Sequence, residues 1–257
     1  MNMKILNIKN IAKFQFKALN LRRETFLNFI KTGEAHLGGS FSIIEILIFL
    51  YYFYIKKNDK FILSKSHASI PFCLILRKMG YKNKVSTHLE IDKKNGIYCT
   101  TGSLGHGLPI SVGMALSRKK QNKKGNIVTL ISDGECQEGT TWESLLIASK
   151  HKLNNLIIII DYNKIQALTL LKDGLPLDNL QKKIEAFNIN CINIKNGHSF
   201  NDIYKSFKKI RLNNKPNCFI LNSIKGKGVK EFENDPAWHA RKVKGKDILI
   251  GKKELGL

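Results

Sequence analysis

The second half of the chain alternates apolar runs with mixed stretches. NIVTLIS (Asn126–Ser132) and NLIIIID (Asn155–Asp161) are almost unbroken aliphatic segments, the pattern of strands buried on both faces. INCINIK (189–195) and NCFILNS (217–223) read the same way. Between them, TTWESLLIASKH (140–151), PLDNLQKKIEAFN (176–188) and SFNDIYKSFKKIRLN (199–213) read as helices, with Asp178 placed to cap the second. Strands that alternate with helical crossovers predict an α/β fold: a parallel sheet with helices on both faces.

The first half supplies more helices. Residues 11–32 carry Leu19, Phe26 and Ile30 near one stripe, and Gly33 follows as a stop. Ser42 is placed to cap a helix reaching Ile55. Its apolar run, Phe41–Ile55, is shorter than a membrane span needs and contains Glu45. It reads as a buried amphipathic helix, and no membrane association is expected. Phe61–Ser64 reads as a short strand. SHASIPFCLILRKMG (66–80) follows as a helix, with Pro71 in its first turns and Gly80 past its end. No internal repeat or low-complexity linker divides the chain, so residues 1–257 read as one module with a mobile basic tail from about 244 to 257.

Composition narrows the class. With 257 residues, 43% of them apolar, the chain can bury one large core. No N-terminal stretch has the make-up of a secretory leader. Cys73, Cys99, Cys136, Cys191 and Cys218 are widely spaced and form no CxxC pair, which argues against zinc or disulfides and for the cytoplasm. The net charge of +23 raises nucleic acid as a partner. Only six of the 43 basic residues are Arg, however, and base readers and phosphate clamps favour guanidinium. The scattered lysines suit instead a surface that steers anionic sugar phosphates or an acidic partner.

In open parallel sheets, ligands bind beyond the carboxyl ends of the strands. Asp133 follows one strand and Asn163 the next, with 29 residues between them, one helical crossover. Each alone can be a turn cap; together they can converge at the sheet edge. A carboxylate and an amide oxygen are hard ligands for Mg²⁺, which keeps positions open for phosphate oxygens. Gly134 permits close approach of a phosphate to the backbone, and a helix starting near Gly139 adds a favourable field. No Walker loop and no GxGxxG after a strand are present.

The stretch SDGECQEGTTWESLLIASKHKLNNLIIIIDYNKIQ (132–166) resembles the thiamine-diphosphate motif of transketolases, with Ser132 in place of the first Gly of Gly-Asp-Gly. That replacement is expected to strain the turn. The resemblance runs from about residue 20 to 243. It implies that Asp133 and Asn163 bind Mg²⁺ by side chain and Ile165 by its carbonyl, and that Gly134 and Glu138 belong to the cofactor site. Glu138 and Glu143 match acidic residues that link paired active sites. GEAHLGGS, FILSKSHAS, STHLE and NDPAWHARK match histidine segments of the family. They imply catalytic roles for His36, His67, His88 and His239, with His67 also near the cofactor. CTTGSLGHGLPISVGMALS places Gly102, Leu104 and Gly105 against the thiazolium; Ser103 and His106 stand where single-chain members often have Pro and Gln.

Transketolases continue into a module that supplies a glutamate and aromatic residues to the cofactor's aminopyrimidine ring. The residues after Val243 cannot supply these. The resemblance therefore implies the N-terminal subunit of a split transketolase, partnered by a C-terminal subunit carrying the pyrimidine-binding module. The implied reaction moves a two-carbon ketol unit from a ketose phosphate to an aldose phosphate. His67 and His239 are expected at the carbonyl oxygen and proton steps, His36 and His88 at substrate hydroxyls. Alternatives sharing the motif are the alpha subunit of a 2-oxo-acid dehydrogenase, a deoxyxylulose-phosphate synthase-like protein, or a degenerate interaction subunit. The QEGTTWE stretch and the four histidines favour the sugar transferase.

Overall fold

The computed structural model describes residues 6–167 and 169–257. Five parallel strands form the central sheet: β1 (Lys60–Leu63), β2 (Ile127–Ser132), β3 (Leu156–Tyr162), β6 (Asn190–Ile194) and β7 (Asn217–Asn222), in the order β1-β2-β3-β7-β6. A two-stranded hairpin, β4 (Ile165–Gln166) and β5 (Thr169–Leu170), follows β3. The predicted α/β architecture is therefore present. Its cause is visible in the strands: side chains alternate across a pleat, and both faces here are apolar. Val128, Leu130, Ile157, Ile159, Phe219 and Leu221 belong to one core. Ile127, Ile131, Ile158, Ile160, Cys218 and Ile220 belong to the other.

The first core is closed by α1 (Ile8–Thr32), α3 (Ile44–Phe49), α4 (Ser69–Lys78) and α8 (Phe200–Phe207). The second is closed by α5 (Gly107–Lys120), α6 (Gly139–Lys150) and α7 (Leu180–Ala186). No helix among the described residues is long and apolar enough to cross a membrane.

Several local expectations are corrected. The helix expected from Ser42 to Ile55 is broken into α2 (Leu37–Phe41), α3 and a π-helical turn at Leu50–Tyr54. Ser42 caps nothing; its hydroxyl donates to Asp161 Oδ2 at 2.7 Å and to the Gly39 carbonyl at 2.9 Å. A buried hydroxyl takes the strongest acceptor in reach, here a carboxylate. All six residues of α3 are buried, so this helix is enclosed rather than amphipathic. Asp178 does not cap α7, because Asn179 precedes it in the left-handed region (φ 52°) with no side-chain cap. The basic tail contains α9 (Lys246–Leu255), which packs on α1: a Cβ on Gly251 would strike the Phe26 ring, and Arg23 Nε donates to the Leu255 carbonyl at 2.6 Å.

Glu45 is also not a mark of a solvated face. It is buried between Arg22 Nη2 (2.7 Å) and His198 Nδ1 (2.8 Å). Burial alone would raise its pKa, but Arg22 and His198 together hold it at about 2. The carboxylate therefore adds stability above the ordinary Glu range that is lost as pH falls toward 2. Glu45→Gln is expected to cost on the order of 3 kcal/mol at neutral pH. Urea titrations should show the gap to wild type narrowing between pH 5 and 2; a constant gap would refute the pairing's role.

Candidate active site

The turns after β1, β2 and β3 meet at the carboxyl edge of the sheet. Asp133 opens the 3-10 turn after β2; its Oδ1 accepts from the Gly134 amide (2.9 Å) and its Oδ2 from the Lys164 amide (2.7 Å). One carboxylate thus ties the ends of β2 and β3 together. Asn163 Oδ1 accepts from the Ile165 amide (3.1 Å), and its Nδ2 donates to Asp161 Oδ2 (3.0 Å). The Ile165 carbonyl accepts from Lys225 Nζ at 3.0 Å. Asp133, Asn163 and Ile165, separated in sequence, line one small cavity of about 40 Å³ with Lys65, His67, Leu104, Gly134, Lys225 and His239.

The cavity is strongly charged below its surface. Lys65 Nζ contacts Asp161 Oδ2 at 2.5 Å, and Asp161 also accepts from Ser42, Ser223 and Asn163. Burial opposes ionisation of Asp161, but Lys65 and these donors hold its pKa below the usual range. Asp133 has no such direct cation; burial, then the nearby Asp161 charge, pushes it up to about 7. Burial and the neighbouring Lys65 lower Lys225 to about 8.

Three of the four expected histidines come together. Ring centroids are 5.3 Å apart for His36–His67, 5.2 Å for His36–His239 and 5.5 Å for His67–His239. Burial lowers the pKa of all three, His239 to about 3, so they are neutral imidazoles near pH 7. Lys225 Nζ donates to His239 Nδ1 at 3.0 Å, which leaves the ring proton on Nε2. His36 holds a left-handed conformation (φ 74°) ahead of α2. His88 stands apart from the cluster: it is exposed, and its ring lies 3.3 Å from where a Cβ on Gly102 would be. Glu138 and Glu143 are both exposed at the start of α6.

Hard oxygen donors from one carboxylate, one amide and one carbonyl suit Mg²⁺ that also takes phosphate oxygens. No group of three or more His, Cys, Asp or Glu typical of a closed metal site exists among the described residues. Buried polar atoms wait for partners here: among the described residues, His36 Nδ1 and Gln166 Oε1 have none. A Cβ at Gly39 would stand 3.5 Å from the His67 ring and 3.7 Å from Lys65 Nζ, so the missing side chain keeps that wall open. The residues fit a metal-bound diphosphate. A larger cleft of about 730 Å³ opens nearby, lined by Lys172, Lys195 and Ile224 among others; it shares Asn163 and Ile165 but none of the three clustered histidines.

Lys65, Asp161 and Lys225 are site residues that the sequence pattern does not single out. Each lies inside or beside a quoted segment, but a buried charge network is visible only once the strand ends are side by side. The strain expected at Ser132 is also absent. Ser132 ends β2 in extended conformation. Its amide donates to Glu135 Oε2 (2.8 Å) and its Oγ accepts from the Glu135 amide (3.3 Å), the reciprocal bonds of a capping box. The Ser-x-x-Glu spacing was the available signal.

The chain is also similar to known proteins. Residues 52–257 match the family model described as transketolase, thiamine diphosphate binding domain. The chain is 34% identical to an apulose-4-phosphate transketolase subunit of Actinobacillus succinogenes, over 93% of this chain and 94% of that protein. It is 34% identical to 6-deoxy-6-sulfo-D-fructose transketolase subunit SqwG of Clostridium sp., over 89% and 91%. Against human transketolase the identity is 31%, over 81% of this chain but 36% of that one. The crystal structure of transketolase from Campylobacter jejuni superposes with a TM-score of 0.83 at 26% identity, over 98% of this chain and 43% of that chain. This chain thus spans less than half of those longer transketolases and nearly all of the two subunit relatives. On its fold, its motif and these matches, the chain belongs to the transketolase family, in the part that forms the thiamine-diphosphate-binding domain.

Proposed function

We propose that this chain is the diphosphate-anchoring subunit of a two-chain transketolase, transferring a two-carbon ketol unit from a ketose phosphate to an aldose phosphate. The observation that carries the reading is the cluster of His36, His67 and His239 in and beside the cavity where Asp133, Asn163 and Ile165 converge. Bound thiamine diphosphate supplies the nucleophilic carbon and electron sink for carbon–carbon cleavage next to a ketone. The chain's own residues do the rest. Asp133 and Asn163 would hold Mg²⁺ by side chain and Ile165 by its carbonyl, and Lys225, which donates to that carbonyl in the structure, would supply a cation for the diphosphate. Lys65 would add positive charge beneath the diphosphate and Gly134 would let it approach the backbone, while Gly102 and Leu104 would pack beside the ring. Neutral imidazoles both donate and accept, so His67 and His239 move protons at the substrate carbonyl oxygen. His36 and His88 hold substrate hydroxyls.

Relatives named as subunits match this chain over about nine tenths of both lengths, which supports a separate C-terminal subunit bringing the pyrimidine-binding module. Their names specify different ketoses, so the donor of this enzyme is set by more than the shared domain. Exposed Ile110, Leu146 and Ile147 on the neighbouring helices α5 and α6, beside Glu143, offer a face for another chain. Leu146→Glu with Ile147→Glu should lower the assembly's mass in light scattering while leaving the chain folded; an unchanged mass would exclude this face. Five unpaired cysteines fit a cytoplasmic setting.

The substrate class is tested with the complex purified natively, given a ketose phosphate or pyruvate as donor. Aldose release from the ketose phosphate alone supports the reading. Use of pyruvate instead assigns the chain to the 2-oxo-acid enzymes.

A further inference from the structure

Glu135, the partner of Ser132 in the capping box, has no role in the proposed binding or chemistry, yet it is fully buried at the centre of the site's scaffold. Its Oε2 accepts from the Ser132 amide (2.8 Å) and Ser132 Oγ (3.3 Å). Its Oε1 accepts from the Gly105 amide (3.0 Å) and from Ser64 Oγ, which in turn accepts from the Gly107 amide (3.1 Å). Those donors belong to three separate segments: the turn after β1 that leads to Lys65 and His67, the loop holding Gly102 and Leu104, and the turn that presents Asp133 and Gly134. Among the described residues no ion pair involves Glu135, so N–H and O–H donors alone meet its charge. Ionised carboxylates accept through both oxygens. An amide could not: its NH₂ would face the Ser132 or the Gly105 N–H.

The loop it grips has no slack of its own. Gly105 has φ 82°, and a Cβ there would lie 2.7 Å from Thr140 Oγ1 and 2.8 Å from Glu138 Cβ. The Gly105 carbonyl accepts from Thr140 Oγ1 at 2.8 Å. The loop is therefore pressed on the start of α6 from one side and drawn to Glu135 through its amide.

We propose that Glu135 is a positioning residue: its carboxylate sets the Gly102–Gly107 loop and the Ser64–His67 turn against the Asp133 turn, and so shapes the seat for an anionic cofactor between Leu104, His67 and Gly134. The cofactor's identity, thiamine diphosphate, rests on the functional reading above; the positioning itself does not. Two measurements on the full chain with its partner separate them. Amide hydrogen exchange without cofactor reads the loop, and calorimetric titration with thiamine diphosphate and Mg²⁺ reads the seat. In Glu135→Gln, exchange over residues 102–107 should rise about tenfold, with β3 unchanged, and the cofactor Kd should rise about tenfold. Exchange over the loop equal to wild type overturns the proposal, and so does a Kd within about twofold when the wild type binds. If the wild type binds no thiamine diphosphate, the functional reading falls and exchange alone decides the positioning. If Glu135→Gln does not fold, Ser64→Ala removes one donor to Oε1 and should raise both quantities about threefold; no change in exchange overturns the proposal.

Discussion

Asp133→Ala is expected to abolish Mg²⁺-dependent binding of thiamine diphosphate, with affinity lower by more than about 100-fold, since losing even outer partners of a metal ligand costs 10–100-fold. Asp133 is the one acidic residue among the three proposed ligands, so its loss leaves only neutral oxygens for a divalent ion. It also joins the β2 and β3 turns through Gly134 and Lys164. Asp133→Asn separates the two roles: it keeps an oxygen and loses the charge, and should bind with intermediate affinity. The wild-type affinity has a pH signature. With its pKa raised to about 7 by burial and Asp161, Asp133 is partly protonated in the free protein. Binding must displace that proton, so affinity should rise from pH 6 to 7.5, where Lys225, at about 8, still keeps most of its own proton. A calorimetric titration of wild type and both variants at those two pH values checks this. Retained tight binding by Asp133→Ala would place the metal elsewhere.

His67→Ala should lower turnover at saturating cofactor by about 10²–10⁴-fold, the range for loss of a positioned proton donor or acceptor. The residue lies in the cavity wall and against His36 and His239. Burial, reinforced by Lys65, keeps its pKa well below the ordinary histidine value. The ring is thus neutral throughout the working range, and the activity profile should show no acid limb from it above pH 6. His67→Gln keeps a hydrogen-bonding group but cannot accept and return a proton through one ring, so it should recover little. Steady-state rates of the two variants, reconstituted with the partner chain, test the assignment. Turnover equal to wild type in His67→Ala would remove His67 from the chemistry.

What the sequence made legible was what local pattern encodes. The aliphatic runs of β2 and β3 marked strands enclosed on both faces, and the rule that ligands sit past strand ends singled out Asp133 and Asn163 before any coordinate. Gly33 marked the end of α1, where it lies at φ 64°. Features set by tertiary contact stayed hidden. Lys65 and Lys225 looked like two more lysines in a lysine-rich chain; only the fold buries them beside Asp161 and Asp133. Glu45 looked like the polar side of a helix until Arg22 and His198 closed on it from other elements. The tail looked solvated because Lys244, Lys246, Lys252 and Lys253 fall within 14 residues, yet Gly251 and Leu255 touch α1. Ser132 looked like a defect because it was judged against a Gly motif alone; with Glu135 it forms a capping pair that the Gly cannot make.

The central claim is that cofactor-dependent ketol transfer needs this chain and a second one together. The most direct measurement is aldose release from a ketose phosphate, with an aldose phosphate as acceptor, by each chain alone and by both combined. Thiamine diphosphate and Mg²⁺ are present or omitted in turn. The account predicts transfer only when both chains, the cofactor and the metal are present. Transfer by one chain alone, or by the pair without thiamine diphosphate, would contradict it.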